Sequence, residues 1–152
     1  RRQRQMCIRD RLLSEDENKY HAFLILDVDC FKQINDIYGH AVGDIVLQKF
    51  GKLLKGTFRE GDILGRIGGD EFGVIMKNIQ TKDIAMKKAE ELLAKTQAYK
   101  IDELKGNNIS ISIGISTAPQ DGDCYMDLYK RADQAHYQAK RSGKARVCNY
   151  FS

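Results

Sequence analysis

The sequence predicts an α/β (α+β) fold in which helices cover a mixed central sheet with a β-hairpin at its middle. Residues 22–26 form a continuous apolar run, and two shorter apolar runs at 63–67 and 72–76 flank a glycine-containing turn. Residues 109–116 alternate strictly between apolar and small or polar residues. The first pattern is typical of a strand buried on both faces, the second of a hairpin and the third of a strand. Because helical patterns separate these runs, we expect a mixed sheet covered by helices.

The remaining elements follow from helical spacing and from chain breakers. Apolar residues recur at helical spacing over 41–58, 84–96 and 126–139, which predicts three amphipathic helices. Gly143 is expected to end the last of them, and Val147 to begin a short final strand. A helix at 1–13 and one more between the first strand and the helix at 41–58 complete the set. The predicted element order is α-β-α-α-β-β-α-β-α-β.

The N-terminal segment is expected to stand apart from this domain. Residues 1–13 carry five arginines with apolar residues between them, which predicts a helix with a highly charged face or the end of a linker. Residues 14–19 are polar and are expected to form a loop. We therefore expect 1–13 to be the remnant of a linker or N-terminal helix, and 14–152 to be a single domain of a size that buries a real core.

Composition is that of an ordinary globular domain, with 42% apolar residues, 30% charged residues and a net charge of +4. The mild positive charge would attract a polyanion such as a nucleoside triphosphate. Nucleic acid is not an expected partner, because the basic residues are dispersed rather than clustered with aromatic residues. No apolar run approaches the roughly 18 residues of a membrane span, and the basic N-terminus lacks the apolar core of a signal peptide. The four cysteines are not spaced as a zinc site. We expect a cytoplasmic domain with free thiols, whether or not the parent protein is membrane-anchored.

Three carboxylates stand where strands hold side chains rigidly. Asp27 directly follows the first apolar run, and Asp70 and Glu71 lie at the tip of the predicted hairpin. If the strand and the hairpin are neighbours in the sheet, these acids converge and repel one another, so a hard divalent cation is their natural partner. Mg²⁺ is typically held by one or two carboxylates and substrate phosphates, and two such ions could hold an α-phosphate and activate an attacking hydroxyl. The alternative is a helix cap at Asp27 and a solvated turn at Asp70 and Glu71. Gly68 and Gly69 count against that alternative, because glycine lets a backbone approach a ligand closely.

Other catalytic patterns are missing from the sequence. It has neither G-x-x-x-x-G-K-[ST] nor G-x-G-x-x-G, and no serine stands in a nucleophile-elbow context. The histidines at positions 21, 40 and 136 are not spaced as a metal pair. His136 lies on an apolar helical face, where we expect it to pack.

Several sequence blocks resemble one known family. Residues 66–72 read Arg-Ile-Gly-Gly-Asp-Glu-Phe, which resembles the GGDEF signature of bacterial diguanylate cyclases. The accompanying blocks, in family-like order, are 26–36 (D-x-D-x-F-K-x-I-N-D), 38–44 (Y-G-H-x-x-G-D), 112–114 (S-I-G) and 131–140 (R-A-D…A-K). The resemblance therefore extends over most of the chain, and implies a fold similar to that of nucleotidyl cyclases and polymerase palm domains.

The resemblance implies condensation of two GTP molecules into cyclic di-GMP, with release of pyrophosphate. Two Mg²⁺ or Mn²⁺ ions for each active site would be held by Asp27, the Val28 carbonyl group, Asp70 and Glu71. Asp70 and Glu71 would be the catalytic residues, with Glu71 as base toward the 3′-hydroxyl. The substrate-binding residues that the resemblance implies are Cys30, Phe31, Lys32, Asn35, His40, Asp44, Lys140 and Lys144.

These substrate residues divide by the part of GTP that they would bind. Asn35 and Asp44 would read guanine, with His40 lining the pocket, whereas the lysines and the backbone amides at 30–31 would hold phosphates. A carboxylate at Asp44 can accept from guanine N1–H and from the exocyclic amine, an edge that adenine lacks, which favours GTP over ATP. Lys144 stands where the family has an arginine, so it keeps the charge without the bidentate fork. Structural alternatives remain open: a turn cap at Asn35 and solvated or helix-terminal lysines.

Two further motifs bear on regulation. Arg59 and Asp62 match the R-x-x-D inhibitory motif of the family, which implies inhibition by the product cyclic di-GMP, although a surface salt bridge is the alternative. Glu91 stands where a second arginine often follows, and this weakens the inhibitory interpretation. The family's D-x-L-T-G-L-x-N-R segment is represented only by Arg1-Arg2. Arg66 is expected to form a structural ion pair rather than to act in catalysis.

One such domain offers one half-site. Because the cyclic product needs two GTP molecules facing each other, the resemblance implies a homodimer about a two-fold axis, brought together by an upstream regulatory domain of the parent protein. The competing hypothesis is a catalytically silent sensor that binds GTP or cyclic di-GMP. The intact acids at 27, 70 and 71 favour the enzyme.

Overall fold

The computed structural model describes residues 19–150. In that range the chain forms five strands and four α-helices. The strands are β1 (Tyr20–Val28), β2 (Ile63–Arg66), β3 (Glu71–Ile79), β4 (Ile111–Ala118) and β5 (Val147–Asn149). The helices are α1 (Phe31–Tyr38), α2 (His40–Thr57), α3 (Asp83–Ala98) and α4 (Tyr125–Arg141), with a 3₁₀ turn at Asp102–Leu104. The predicted helix at 1–13 and most of the predicted loop at 14–19 lie outside the described residues.

The sheet has the strand order β2-β3-β1-β4-β5, and every neighbouring pair is antiparallel except β4 and β5, which are parallel. The predicted mixed sheet with helices over it is therefore confirmed. β4 begins and ends two residues later than the alternating pattern indicated, because Thr117 and Ala118 still pair with Ala22 and His21 of β1. The hairpin of β2 and β3 lies beside the central strand β1, which is the arrangement that convergence of the acids requires.

The two faces of the sheet have different covers. Leu24, Leu26 and Val28 of β1 lie in the main core, together with apolar residues of α1, α2 and α3. Phe23 and Ile25 face the other way and pack against α4. Since side chains alternate along a strand, Asp27 shares the face that α4 covers.

Among residues 19–150, no helix combines the length and the apolar character needed to cross a membrane. The cysteines at 30, 124 and 148 are free thiols as predicted, whereas Cys7 lies outside the described residues.

Candidate active site

Strand pairing brings the predicted acids together. Asp27 lies directly opposite Glu71 on β3 and directly opposite Ser112 on β4. Directly opposed residues of adjacent strands project from the same face, so all three side chains lie under α4. Asp70 immediately precedes Glu71, in the turn that closes the hairpin. Val28, the residue whose carbonyl group was expected to hold metal, ends β1 next to Asp27.

The hairpin turn is held by backbone groups and by one arginine. Ile67 N donates to Glu71 O at 2.8 Å, and Glu71 N donates to Gly68 O at 3.3 Å. Arg66 Nε donates to Gly69 O at 2.7 Å. The ion pair expected for Arg66 is not found among the described residues. Its Nε–H group instead donates to carbonyl groups of the turn that presents Asp70 and Glu71.

The environment of Glu71 disfavours its negative charge. Burial raises the pKa of Glu71, nearby His136 opposes that rise, and the carboxylates of Asp133, Asp27 and Asp70 add to it. Glu71 Oε1 is buried and accepts no hydrogen bond from any described residue. A buried carboxylate oxygen without a donor is costly, and a divalent cation with oxygen ligands would compensate it. The paired acids Asp27 and Glu71 therefore fit a divalent cation.

Asp27 is buried, and both of its oxygens contact basic groups of α4. His136 Nε2 lies 3.0 Å from Asp27 Oδ1, and Lys140 Nζ donates to Asp27 Oδ2. The two basic residues are four apart and so share one face of the helix. His136 packs on an apolar face as expected, but it also contacts the candidate metal ligand. The i, i+4 spacing of His136 and Lys140 indicates a shared helix face in the sequence, but it does not identify Asp27 as their partner.

A glycine sets the distance between α4 and the sheet. A Cβ atom added at Gly114 of β4 would lie 2.6 Å from His136 Cα, and closer still to backbone atoms of Ala132 and His136. Only a residue without a side chain lets the helix backbone lie this close to the strand. This explains the glycine of the S-I-G block, and it is the reason that the imidazole reaches Asp27.

A second buried carboxylate fixes the neighbouring loop. Asp29 accepts from Ser110 Oγ and Ser112 Oγ at 2.6 Å and from Ala145 N at 3.1 Å. These bonds tie the end of β1 to β4 and to the loop after α4. No local sequence pattern predicts this role of Asp29, because its donors come from segments far along the chain.

The predicted phosphate-binding residues gather where α1 begins. Cys30 is its N-cap residue with a left-handed backbone, φ 56°. Phe31 packs on the main core, and Lys32 is exposed. Lys144 Nζ lies 3.2 Å from Cys30 Sγ, and this hydrogen bond raises the pKa of Lys144. Lys140, on α4, donates to Asp27.

The predicted base-reading residues lie at the corner between α1 and α2. A Cβ atom added at Gly43 would lie 3.0 Å from Asn35 Cγ, so the Asn35 side chain lies against the first turn of α2. Asp44 follows Gly43 and is exposed, and His40 is the exposed first residue of α2. The structure therefore brings Asn35 into the immediate neighbourhood of Asp44.

The predicted inhibitory motif lies away from the acids, in the loop between α2 and β2. Arg59 donates to Asp62 Oδ1 at 3.0 Å and to Lys77 O, near the far end of β3 from Glu71, at 2.7 Å. Asp62 is buried, whereas the Arg59 side chain is 52% exposed. Glu91 pairs with Lys88 and Lys95, and both lysines contact Thr57 at the end of α2. The salt bridge of the alternative hypothesis is thus present, and it leaves the arginine accessible.

Comparison with known proteins agrees with this geometry. Residues 1–146 match the family model described as "Diguanylate cyclase, GGDEF domain". Diguanylate cyclase A of Treponema denticola is 38% identical over 135 residues, which are 88% of this chain and 36% of that protein. The response regulator PleD of Caulobacter vibrioides is 40% identical over 127 residues, which are 82% of this chain and 28% of that protein. The chain thus spans only about a third of the length of these relatives.

Solved structures give the same result. The GGDEF domain of YfiN (TpbB) from Pseudomonas aeruginosa superposes with a TM-score of 0.92 at 32% identity, covering 99% of this chain and 96% of that one. The GGDEF domain of DgcB from Caulobacter crescentus, solved in complex with c-di-GMP, has a TM-score of 0.86 at 26% identity, covering 99% and 91%. The chain, which carries the signature acids Asp70 and Glu71 at the start of β3, belongs to the GGDEF family of diguanylate cyclase domains.

Proposed function

We propose that this chain is a catalytically competent diguanylate cyclase domain, which condenses two GTP molecules into cyclic di-GMP with release of pyrophosphate. The observation that carries the proposal is the pairing of Asp27 with Glu71 across adjacent strands, with Glu71 Oε1 buried and without a donor among residues 19–150. Such an oxygen is costly in a merely structural site and useful in one that binds a cation.

The acids would hold Mg²⁺ or Mn²⁺, two ions for each site, through Asp27, the Val28 carbonyl group, Asp70 and Glu71. When bound, such ions stabilise charge on a transferring phosphoryl group and lower the pKa of an attacking hydroxyl. Glu71, whose pKa burial raises, is suited to accept the proton of the 3′-hydroxyl, since a base works best with a pKa nearer to the working pH.

The rest of GTP would lie along the α1 side of the site. Backbone amides at Cys30 and Phe31, at the N-terminus of α1, would bind phosphate oxygens with Lys32, Lys140 and Lys144. Asn35 and Asp44 would read the guanine edge, and His40 would line that pocket. Exposure of Asp44 fits this role, because its carboxylate is open to the edge of an incoming base.

The remaining features concern the whole protein. We propose that residues 14–152 act as one domain and 1–13 as its connection to an upstream regulatory module. The active form is a homodimer, since each domain supplies one half-site. SiaD of Pseudomonas aeruginosa has been solved with its activator SiaC, which supports control of such domains by partners. Arg59 and Asp62 would bind the product as an inhibitor. We place the domain in the cytoplasm, where GTP is available, and assign it no nucleic-acid partner.

The test is product analysis. The chain is incubated with GTP and Mg²⁺, and nucleotides are separated by chromatography over about a hundredfold range of enzyme concentration. We expect cyclic di-GMP and pyrophosphate, with specific activity that rises steeply with concentration and rises at low concentration when a coiled-coil dimer is fused to the N-terminus. GTP binding without product at any concentration would identify the silent sensor instead. Specific activity that is flat across the dilution would rule out pairing.

A further inference from the structure

We propose that His136 is a positioning residue that fixes the carboxylate of Asp27 through Oδ1 and leaves Oδ2 as the oxygen that meets the metal ion. The inference rests on the metal site of the proposed function. It gives a role to a histidine that the sequence pattern placed only in packing.

The contact between His136 and Asp27 is buried on both sides. Their side chains are 8% and 6% exposed, with Nε2 3.0 Å from Oδ1. His136 lies on the same buried face of α4 as three fully or almost fully buried alanines, at 132, 135 and 139. A hydrogen bond between groups that water hardly reaches, with little room to rotate, holds the carboxylate plane in one orientation. Oδ1 of Asp27 is therefore occupied by its hydrogen bond with His136.

The other oxygen of Asp27 has a partner that can leave. Lys140 donates to Oδ2 from a side chain that is 37% exposed, and its long stem has several rotatable bonds. Lys140 is also among the residues proposed to bind phosphate. A divalent cation can replace the ammonium group at Oδ2, and the released lysine can bind a phosphate oxygen when GTP is also present. His136 remains in place, so Oδ2 is the oxygen of Asp27 that becomes available to the cation.

The position of His136 is itself set by the sheet. Its backbone lies directly over Gly114, closer than any side chain would allow. The position of the imidazole is therefore fixed relative to β4, the strand beside Asp27, and does not depend on a loop. A metal ligand that is held by such an outer hydrogen bond typically loses 10–100-fold in metal affinity when that bond is removed.

The experiment measures Mn²⁺ binding to the whole chain by electron paramagnetic resonance, without nucleotide. His136→Leu keeps a buried apolar volume without a donor, whereas His136→Gln keeps an amide donor of similar reach. We expect the Mn²⁺ dissociation constant to rise about tenfold in the leucine variant and much less in the glutamine variant. With GTP, the leucine variant should lose kcat with little change in KM, because only the metal ligand is disturbed. Gln134→Leu, on the exposed side of α4, is the matched control and should bind as the parent does.

Two results would overturn the proposal. One is Mn²⁺ binding by His136→Leu equal to that of the parent; the other is equal weakening in the glutamine and leucine variants, which would assign the effect to shape. If thermal melting shows His136→Leu to be unfolded, His136→Met supplies a second buried side chain without a donor, and the same comparison applies. A parent chain that binds Mn²⁺ but makes no cyclic di-GMP would refute the proposed function and leave this inference standing.

Discussion

The two halves of the candidate site are held in different ways. The carboxylate half, Asp27, Asp70 and Glu71, lies on the adjacent strands β1 and β3 and in the turn before β3, under a helix that contacts Asp27 directly. The base half, Asn35, His40 and Asp44, lies at a corner between α1 and α2, and two of its three side chains are exposed. The difference follows from what each half must do. Metal-assisted phosphoryl chemistry needs fixed ligand positions, whereas base recognition needs polar groups that remain open until the base arrives.

The largest effect is expected in the carboxylate half. Asp70→Asn keeps the shape of the turn but removes a charge that a divalent cation needs. We expect cyclic di-GMP synthesis to fall by at least about a hundredfold, the scale for loss of a group that stabilises developing charge. The melting temperature should be nearly unchanged, since the turn is held by backbone groups and by Arg66. Glu90→Gln, a change at an exposed acid of α3, is the control and should keep full activity. Near-normal turnover in Asp70→Asn would remove the basis for the metal assignment.

The rigidity of the carboxylate half can be tested through Gly114. In Gly114→Ala the new methyl group meets the α4 backbone, which cannot move without shifting His136 away from Asp27. We expect a loss of about 1–3 kcal/mol in the free energy of unfolding, typical of an overpacked site, measured by urea denaturation. Gly51→Ala, within α2, meets no atom within 4 Å and should be neutral or slightly stabilising, because alanine favours a helix. Equal stability of the two variants would show that α4 is not held tightly on the sheet.

The base half should respond in specificity and not in stability. Asp44→Ser removes the carboxylate that would accept from guanine N1–H and the exocyclic amine. We expect the preference for GTP over ATP, as a ratio of kcat/KM values, to fall by about 1–3 kcal/mol, typical of a lost polar contact. Since Asp44 is exposed, unfolding should hardly change. A variant that discriminates as well as the parent would show that another residue reads the base.

The same contrast explains what the sequence could predict. The hairpin, the central strand and the alternating strand were identifiable from local patterns, and so was the set of acids at their ends. That Asp27 lies opposite Glu71 depends on strand pairing between distant segments. The sequence therefore predicted convergence of the acids only on the condition that the first strand and the hairpin are neighbours. His136 was beyond such reasoning, because its alanine neighbours predict packing and Asp27 lies 109 residues away along the chain. Asp29 was missed for the same reason, since its donors Ser112 and Ala145 come from other elements.

The smallest effect concerns the charge of Glu71, whose pKa burial raises above the ordinary value of 4.5. In the folded chain this acid therefore binds a proton at a pH where the unfolded chain has already lost it, so its contribution to stability falls as pH rises through that window. Above the raised pKa, the ionised carboxylate opposes folding. With EDTA present, Glu71→Gln should gain up to about 1 kcal/mol in unfolding free energy over the parent near pH 7, and the difference should shrink toward about pH 4.

Glu103→Gln is the control of opposite sign: the hydrogen bond from Lys49 lowers the pKa of Glu103, so that variant should lose stability at neutral pH and lose less as pH falls. Because replacement of a side chain also has effects that do not depend on pH, the change of the difference with pH is the measurement that decides. A difference between Glu71→Gln and the parent that is constant from pH 4 to 7 would mean that the buried oxygen of Glu71 is compensated within the fold, and the carboxylate half would then lack the strain that a bound cation relieves.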